Sequence, residues 1–200
     1  MEHYVIAISR QFGALGRTIV QRLSAMLEVE FWDRDIVEEA ARRMGQSLSM
    51  VSDAEEVSGY PLFPHRPERI SLASYSISDE IFDVERSIIR DAALKGSCII
   101  VGRCGDAILR DFPNLLSVYL YAPDEARVRN CVEHLNMDEK TARKTLRNMD
   151  LALSYYHRKY CPDMKTVFDG KDLMIDTSRF GVEGTAQLIA GVVRQRWGQD

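Results

Sequence analysis

The sequence predicts a three-layer α/β/α sandwich around a parallel sheet, on three observations. Short continuous apolar runs, among them Tyr4-Val5-Ile6-Ala7-Ile8 and Cys98-Ile99-Ile100-Val101, have the character of strands buried on both faces. Stretches with apolar residues at helical spacing separate these runs. No two runs are joined by a hairpin signal, which favours parallel strands connected through helices.

The elements follow in order. After the first strand, polar and glycine-rich residues lead to Gly16, and Ile19, Val20, Leu23 and Leu27 then recur as one face of a helix. Glu30 to Trp32 reads as a short second strand. Asp33 stands at the cap position before the helical pattern Ile36, Val37, Ala40, Ala41, Met44, which Gly45 ends. Periodicity fails over residues 46–67, where Gly59, Pro61, Pro64 and Pro67 indicate a loop or broken helix suited to a mobile cover or an oligomer contact. Residues 67–95 read as helical, with Ile77, Ile81, Val84, Ile88 and Ile89 on one side and Gly96 as terminator. The strand at Cys98 follows, then a short helix to Leu109, Pro113 as a breaker, and a strand from Leu116 to Tyr121. Pro123, Asp124 and Glu125 open another helix, since proline suits the first helical turn and acids suit its positive end. Residues 138–160 form a charged helical region, Leu173-Met174-Ile175 a short strand, and residues 182–197 the closing helix.

At 200 residues, 46% hydrophobic and 28% charged, the chain is expected to fold as one globular domain spanning residues 1–200. A net charge of −4 provides no general attraction to nucleic acid or to an anionic membrane, so neither is an expected partner. No run approaches the roughly 20 apolar residues of a membrane helix, and the N-terminal residues do not resemble a secretory signal. A cytoplasmic protein is expected, with Cys98, Cys104, Cys131 and Cys161 as free thiols, because their spacing forms neither a CxxC pair nor a zinc pattern. The four histidines have no metal-binding spacing. Phe63, Leu72 and Tyr75 would suit a homodimer contact.

The sharpest chemical feature is Ser9-Arg10-Gln11-Phe12-Gly13-Ala14-Leu15-Gly16-Arg17-Thr18. A glycine turn between a buried strand and a helix can direct successive amides at phosphate oxygens. Gly13, Ala14, Leu15, Gly16, Arg17 and Thr18 are therefore the candidate phosphate-binding residues, with Arg17 neutralising charge and Thr18 the candidate Mg²⁺ ligand. Only Gly16 and Thr18 match the pattern G-x-x-x-x-G-K-[ST], because Gln11 replaces its first glycine and Arg17 its lysine. An exposed arginine on a plain glycine turn is the competing reading. Arg103, just beyond the third strand, would share the cleft at the strands' carboxyl ends, and Asp33 has a similar place after the second strand. Both also have bland readings, as a surface arginine and a helix cap. Arg127 and Arg129 head a cationic string that could stabilise a transferring phosphoryl group or simply face solvent. Lying two apart, they reach one ligand only if their helix ends or bends there. Asp150, Tyr155 and Asp176 could each contact a base, while Tyr155-Tyr156-His157 reads more simply as packing and Asp176 as a helix cap.

Taken together, Ile8-Ser9-Arg10-Gln11-Phe12-Gly13 with Gly16-Arg17, Trp32-Asp33-Arg34, Val101-Gly102-Arg103-Cys104, Tyr121-Ala122-Pro123 with Arg127, Tyr155-Tyr156, and Ile175-Asp176-Thr177-Ser178-Arg179 with Gly181-Val182-Glu183-Gly184 resemble the cytidylate kinase-like family. This is a branch of the P-loop nucleoside monophosphate kinases. The resemblance implies an ATP phosphate loop, an acceptor-binding insertion at about residues 34–95 and a lid-like region at about residues 124–160. It also implies transfer of the γ-phosphoryl group of ATP, with Mg²⁺, to a nucleoside monophosphate such as CMP or dCMP. Arg17, Arg127 and Arg129 are then the implied catalytic cations, with Asp33, Arg103, Asp150 and Asp176 on the acceptor side. Compared with cytidylate kinases, an arginine is absent at Leu153, in Asp150-Leu151-Ala152-Leu153, and Asn130 replaces another. With Gln11 and Arg17, these departures leave open a nucleotide-binding regulatory protein without turnover, and the divergent residues 46–67 leave open a kinase for another small acceptor.

Overall fold

The computed structural model describes residues 3–51 and 72–198. Five strands, β1 (Val5–Arg10), β2 (Glu30–Trp32), β3 (Cys98–Val101), β4 (Leu115–Tyr121) and β5 (Leu173–Asp176), form one sheet in the order β2-β3-β1-β4-β5. Every pairing is parallel. The helices are α1 (Gly16–Leu27), α2 (Asp35–Met44), α3 (Leu72–Lys95), α4 (Gly105–Ile108), α5 (Asp124–Leu135), α6 (Glu139–Tyr160) and α7 (Thr177–Trp197). The three-layer sandwich expected from the sequence is the observed architecture.

Side-chain alternation along the strands divides the core between two layers. Ile6, Ile8, Ile99, Val101, Val118 and Leu120 pack against Ile19, Val20 and Leu23 of α1 and against Ile189 and Val193 of α7. Val5, Cys98 and Ile100 face the other way, onto Ile36 and Ala40 of α2 and Ile88, Ile89 and Ala92 of α3. Tyr4 stacks on Trp197 at 5.2 Å and so ties the last helix to the start of the sheet.

Two element boundaries differ from the sequence reading. The closing helix starts at Thr177 and bends at Gly181 (φ 63°) instead of starting near residue 182. Asp33 does not cap α2: the cap residue is Arg34, no side chain caps the helix, and the first turn instead contains Asp35 and Glu38. The Asp33 carboxylate has stronger partners elsewhere, the two arginines described below. Most of residues 46–67, including Phe63, and the side chains of Leu72 and Tyr75 lie outside the described residues. All four cysteines are free and buried, and burial beside Glu30 pushes the Cys98 thiol up to about 12.

Candidate phosphate-binding and acceptor site

The central strand β1 ends in the loop that the sequence marks. Gly13 has φ 78°, and a side chain there would lie 3.1 Å from both Cβ and the carbonyl oxygen of Arg127. Glycine is thus required for backbone conformation and for space. Leu15 is left-handed as well (φ 57°) and precedes α1 without making a side-chain cap, so the helix presents uncapped amides where residues 16–18 begin. Gly16 lets Arg10 lie across it, since an added Cβ would be 2.7 Å from Arg10 Cδ.

Two side chains that the sequence marks only as departures from a pattern hold this loop in place. The Gln11 amide oxygen accepts from the Ala122 amide at 3.1 Å, anchoring the loop to the end of β4. Asn130 Nδ2 donates to the Gly13 carbonyl at 2.8 Å. Gln11 and Asn130, two of the four positions that depart from the P-loop and cytidylate kinase patterns, are therefore clasps on the loop. Arg17 and Thr18 are exposed at the start of α1. Asp33 accepts from Arg10 at 3.1 Å and lies 3.8 Å from Arg17 Nε, placing one carboxylate between the two cations that flank the loop.

Arg127 is 3% exposed. Its guanidinium donates to both oxygens of Asp150 at 2.9 Å, to Asp124 at 2.6 Å and to the Phe12 carbonyl at 3.3 Å. Burial alone would lower its pKa, but Asp150 and Asp124 outweigh that and raise it. It thus links α5, α6 and the loop after β1. Arg129 is exposed, with Glu125 as a charged neighbour, so the two arginines point apart, as their spacing requires. Asp176 caps α7 by accepting from the Ser178 amide at 3.0 Å and its hydroxyl at 2.7 Å.

A small cavity opens beside the loop, at the carboxyl ends of β1 and β3. Its walls include Ser9, Arg10, Arg103, Asp106, Tyr156 and His157. Arg103 is an ion-pair partner of Glu85 on α3, both nearly inaccessible to solvent, and the Tyr156 hydroxyl donates to the other Glu85 oxygen at 3.4 Å. Asp106 forms a second buried ion pair, with Lys171. His157 is 8% exposed, and its Nε2 has no hydrogen-bond partner among the described residues. Burial lowers its pKa, with Asp106 and Asp169 opposing and Lys171 assisting, so the ring is neutral at pH 7. Sequence reading passed over Glu85, although the signal was present: it is a carboxylate set into the apolar stripe Ile81, Ile88, Ile89. Arg10 and Lys171 carried no comparable mark. Among the described residues, no three His, Cys, Asp or Glu side chains gather to hold a metal ion, and no helix is long and apolar enough to cross a membrane.

The sheet order, with a phosphate-type loop after its middle strand, agrees with comparisons to known proteins. The cytidylate kinase-like family model matches residues 5–179. An uncharacterized protein from Eubacterium ventriosum has a similar structure, with TM-score 0.73 and 23% identity over 96% of this chain and 99% of that one. Shikimate kinase from Bacteroides thetaiotaomicron superposes with TM-score 0.56 at 10% identity over 96% and 99% of the two chains. Shikimate kinase from Acinetobacter baumannii, in complex with shikimate, gives 0.51 at 16% identity over 98% and 96%. At such identities the likeness is one of fold. No curated protein matches the sequence. The family match spans most of the chain, and the chain belongs to the cytidylate kinase-like family, as a divergent member within the P-loop nucleoside monophosphate kinase superfamily.

Proposed function

We propose that this protein transfers the γ-phosphoryl group of ATP to a nucleoside monophosphate, CMP, dCMP or a related acceptor. The observation that carries this reading is the uncapped start of α1 behind a left-handed loop, with Arg17 and Thr18 exposed beside it. The residues fit a nucleotide carrying Mg²⁺: Gly13, Ala14, Leu15, Gly16, Arg17 and Thr18 would hold its phosphates at the uncapped start of α1, and the Thr18 hydroxyl would be the ligand offered to the metal. Mg²⁺ supplies charge neutralisation of the transferring group. Arg17 neutralises charge at the loop, and Arg129 is an exposed cation of the lid-like region. Arg127 acts through the carbonyl and the helices it holds. On the acceptor side, Arg103 lines the cavity and Asp33 lies against Arg10 and Arg17, while Asp150 acts through Arg127 and Asp176 through the start of α7. Catalysis is then positioning and electrostatic stabilisation, without a covalent enzyme intermediate.

The test is Mg²⁺-dependent ADP release with each common ribo- and deoxyribonucleoside monophosphate. Stimulation by CMP or dCMP, lost in Arg17→Ala and Arg103→Ala, is the expected result. No stimulation by any of them overturns the reading. A second reading, nucleotide binding without turnover, is favoured by the pairing of Arg103 with Glu85 and of Arg127 with Asp150 and Asp124, which neutralises two of the candidate cations. Saturable ATP binding with no ADP release under any acceptor would establish it.

A further inference from the structure

The cavity beside the phosphate loop has three properties that packing alone does not demand. Gly102, Arg103 and Cys104 run in succession with φ of 74°, 52° and 52°. Left-handed backbone at two adjacent non-glycine residues is strained, and such strain persists where a side chain must be held in one direction. Here it delivers Arg103 from the end of β3 into the cavity wall. Second, the buried Arg103–Glu85 pair adds little stability that an apolar pair of the same volume would not give, because desolvation offsets the attraction between the charges. Third, His157 Nε2 lies buried without a protein partner in a side chain that lines the same space.

A phosphate monoester offers an arginine fork what a carboxylate offers, paired anionic oxygens, and carries more charge. We propose that Glu85 occupies the place of an acceptor's phosphate: a phosphate monoester enters this cavity by displacing the Glu85 carboxylate from Arg103, with His157 Nε2 as a further polar contact. Glu85 is thereby a specificity-determining residue. It neutralises Arg103 while the cavity holds no anion and sets the threshold that an entering phosphate must exceed. Tyr156, hydrogen-bonded to the second Glu85 oxygen, helps to hold the carboxylate against Arg103. Arg10 lies on the same wall and across Gly16, which connects the cavity to the phosphate loop. The inference rests on the kinase reading for the choice of CMP as ligand; the exchange itself requires phosphate binding and no turnover.

Calorimetric titration of wild type, Glu85→Gln and Tyr156→Phe with CMP, cytidine and inorganic phosphate tests the exchange. Glu85→Gln should bind CMP about tenfold more tightly than wild type with cytidine affinity unchanged, and Tyr156→Phe should shift CMP affinity the same way by about threefold. Glu85→Gln should also lose thermal stability, because the buried Arg103 loses the charge of Glu85, and inorganic phosphate should restore more of its Tm than it adds to wild type. If Glu85→Gln does not express in folded form, Tyr156→Phe carries the affinity measurement alone. Unchanged or weaker CMP binding, or failure of all three proteins to bind CMP and phosphate, overturns the proposal. CMP-stimulated ADP release by wild type with no affinity gain in the variants would sink the exchange and leave the kinase reading standing. Tighter CMP binding without ADP release would do the reverse.

Discussion

The Arg127 guanidinium illustrates how much one buried cation can organise. Two parallel bonds to Asp150, one to Asp124 and one to the Phe12 carbonyl join two helices to the phosphate loop. Asp150 is 36% exposed, so water can compensate part of its loss. Asp150→Ala is therefore expected to cost about 1–2 kcal/mol, short of the full penalty for an unpaired buried charge. Urea denaturation measures it, and an unchanged midpoint would show that Asp124 alone suffices. The roles of Asp33 and Asp176 separate at the same scale. Both follow a strand and precede a helix, and the sequence offers a cap for either. Asp176 caps because Ser178 supplies an amide and a hydroxyl two residues on. Asp33 makes no such bond, and its carboxylate lies instead between Arg10 and Arg17.

At the scale of elements, the strand, loop and helix that open the chain were legible because each has a local cause. The apolar run buries β1, the glycines permit the turn, and Ile19, Val20 and Leu23 fix the inner face of α1. The residues that hold the turn were not legible. Gln11 finds its partner 111 positions away and Asn130 reaches back over 117, and no local pattern encodes such a contact. Gly13→Ala brings a side chain to 3.1 Å from Arg127 and imposes a left-handed conformation on alanine. The expected result is a loss of about 1–3 kcal/mol in stability, with ATP binding weakened by at least about tenfold as the amides shift. Thermal melts and ATP titration report the two effects separately. Wild-type ATP affinity in the variant would mean that the loop does not bind phosphate.

Across the whole molecule, stability is linked to pH through His157. Burial lowers its folded-state pKa below the ordinary 6.5, so the unfolded chain binds the proton more readily than the native one. The group costs nothing well above pH 6.5, and stability falls as pH drops below that value towards the folded pKa. Glu39 acts in a different window: Arg42 and Arg43 hold it at about 2 against an ordinary 4.5, so its contribution is lost only as pH falls from 4.5 towards 2. Between about pH 7.5 and 5.5, His157→Gln should lose less of its unfolding free energy than wild type. Parallel curves for the two proteins would show that the ring titrates normally.

By itself the sequence determined the layers, the parallel sheet, the glycine turn between β1 and α1 and the family resemblance, because hydrophobic period, glycine placement and helix-end chemistry act over a few residues. Tertiary structure alone decided which charges meet. Arg103 and Arg127 read as available cations in the chain, yet folding sets Glu85, Asp150 and Asp124 against them, and Asp33 between Arg10 and Arg17. Except for Asp124, on the same helix as Arg127, these partners lie far apart in the chain. Charge pairing depends on distance in space, which the sheet order fixes and a local pattern does not contain.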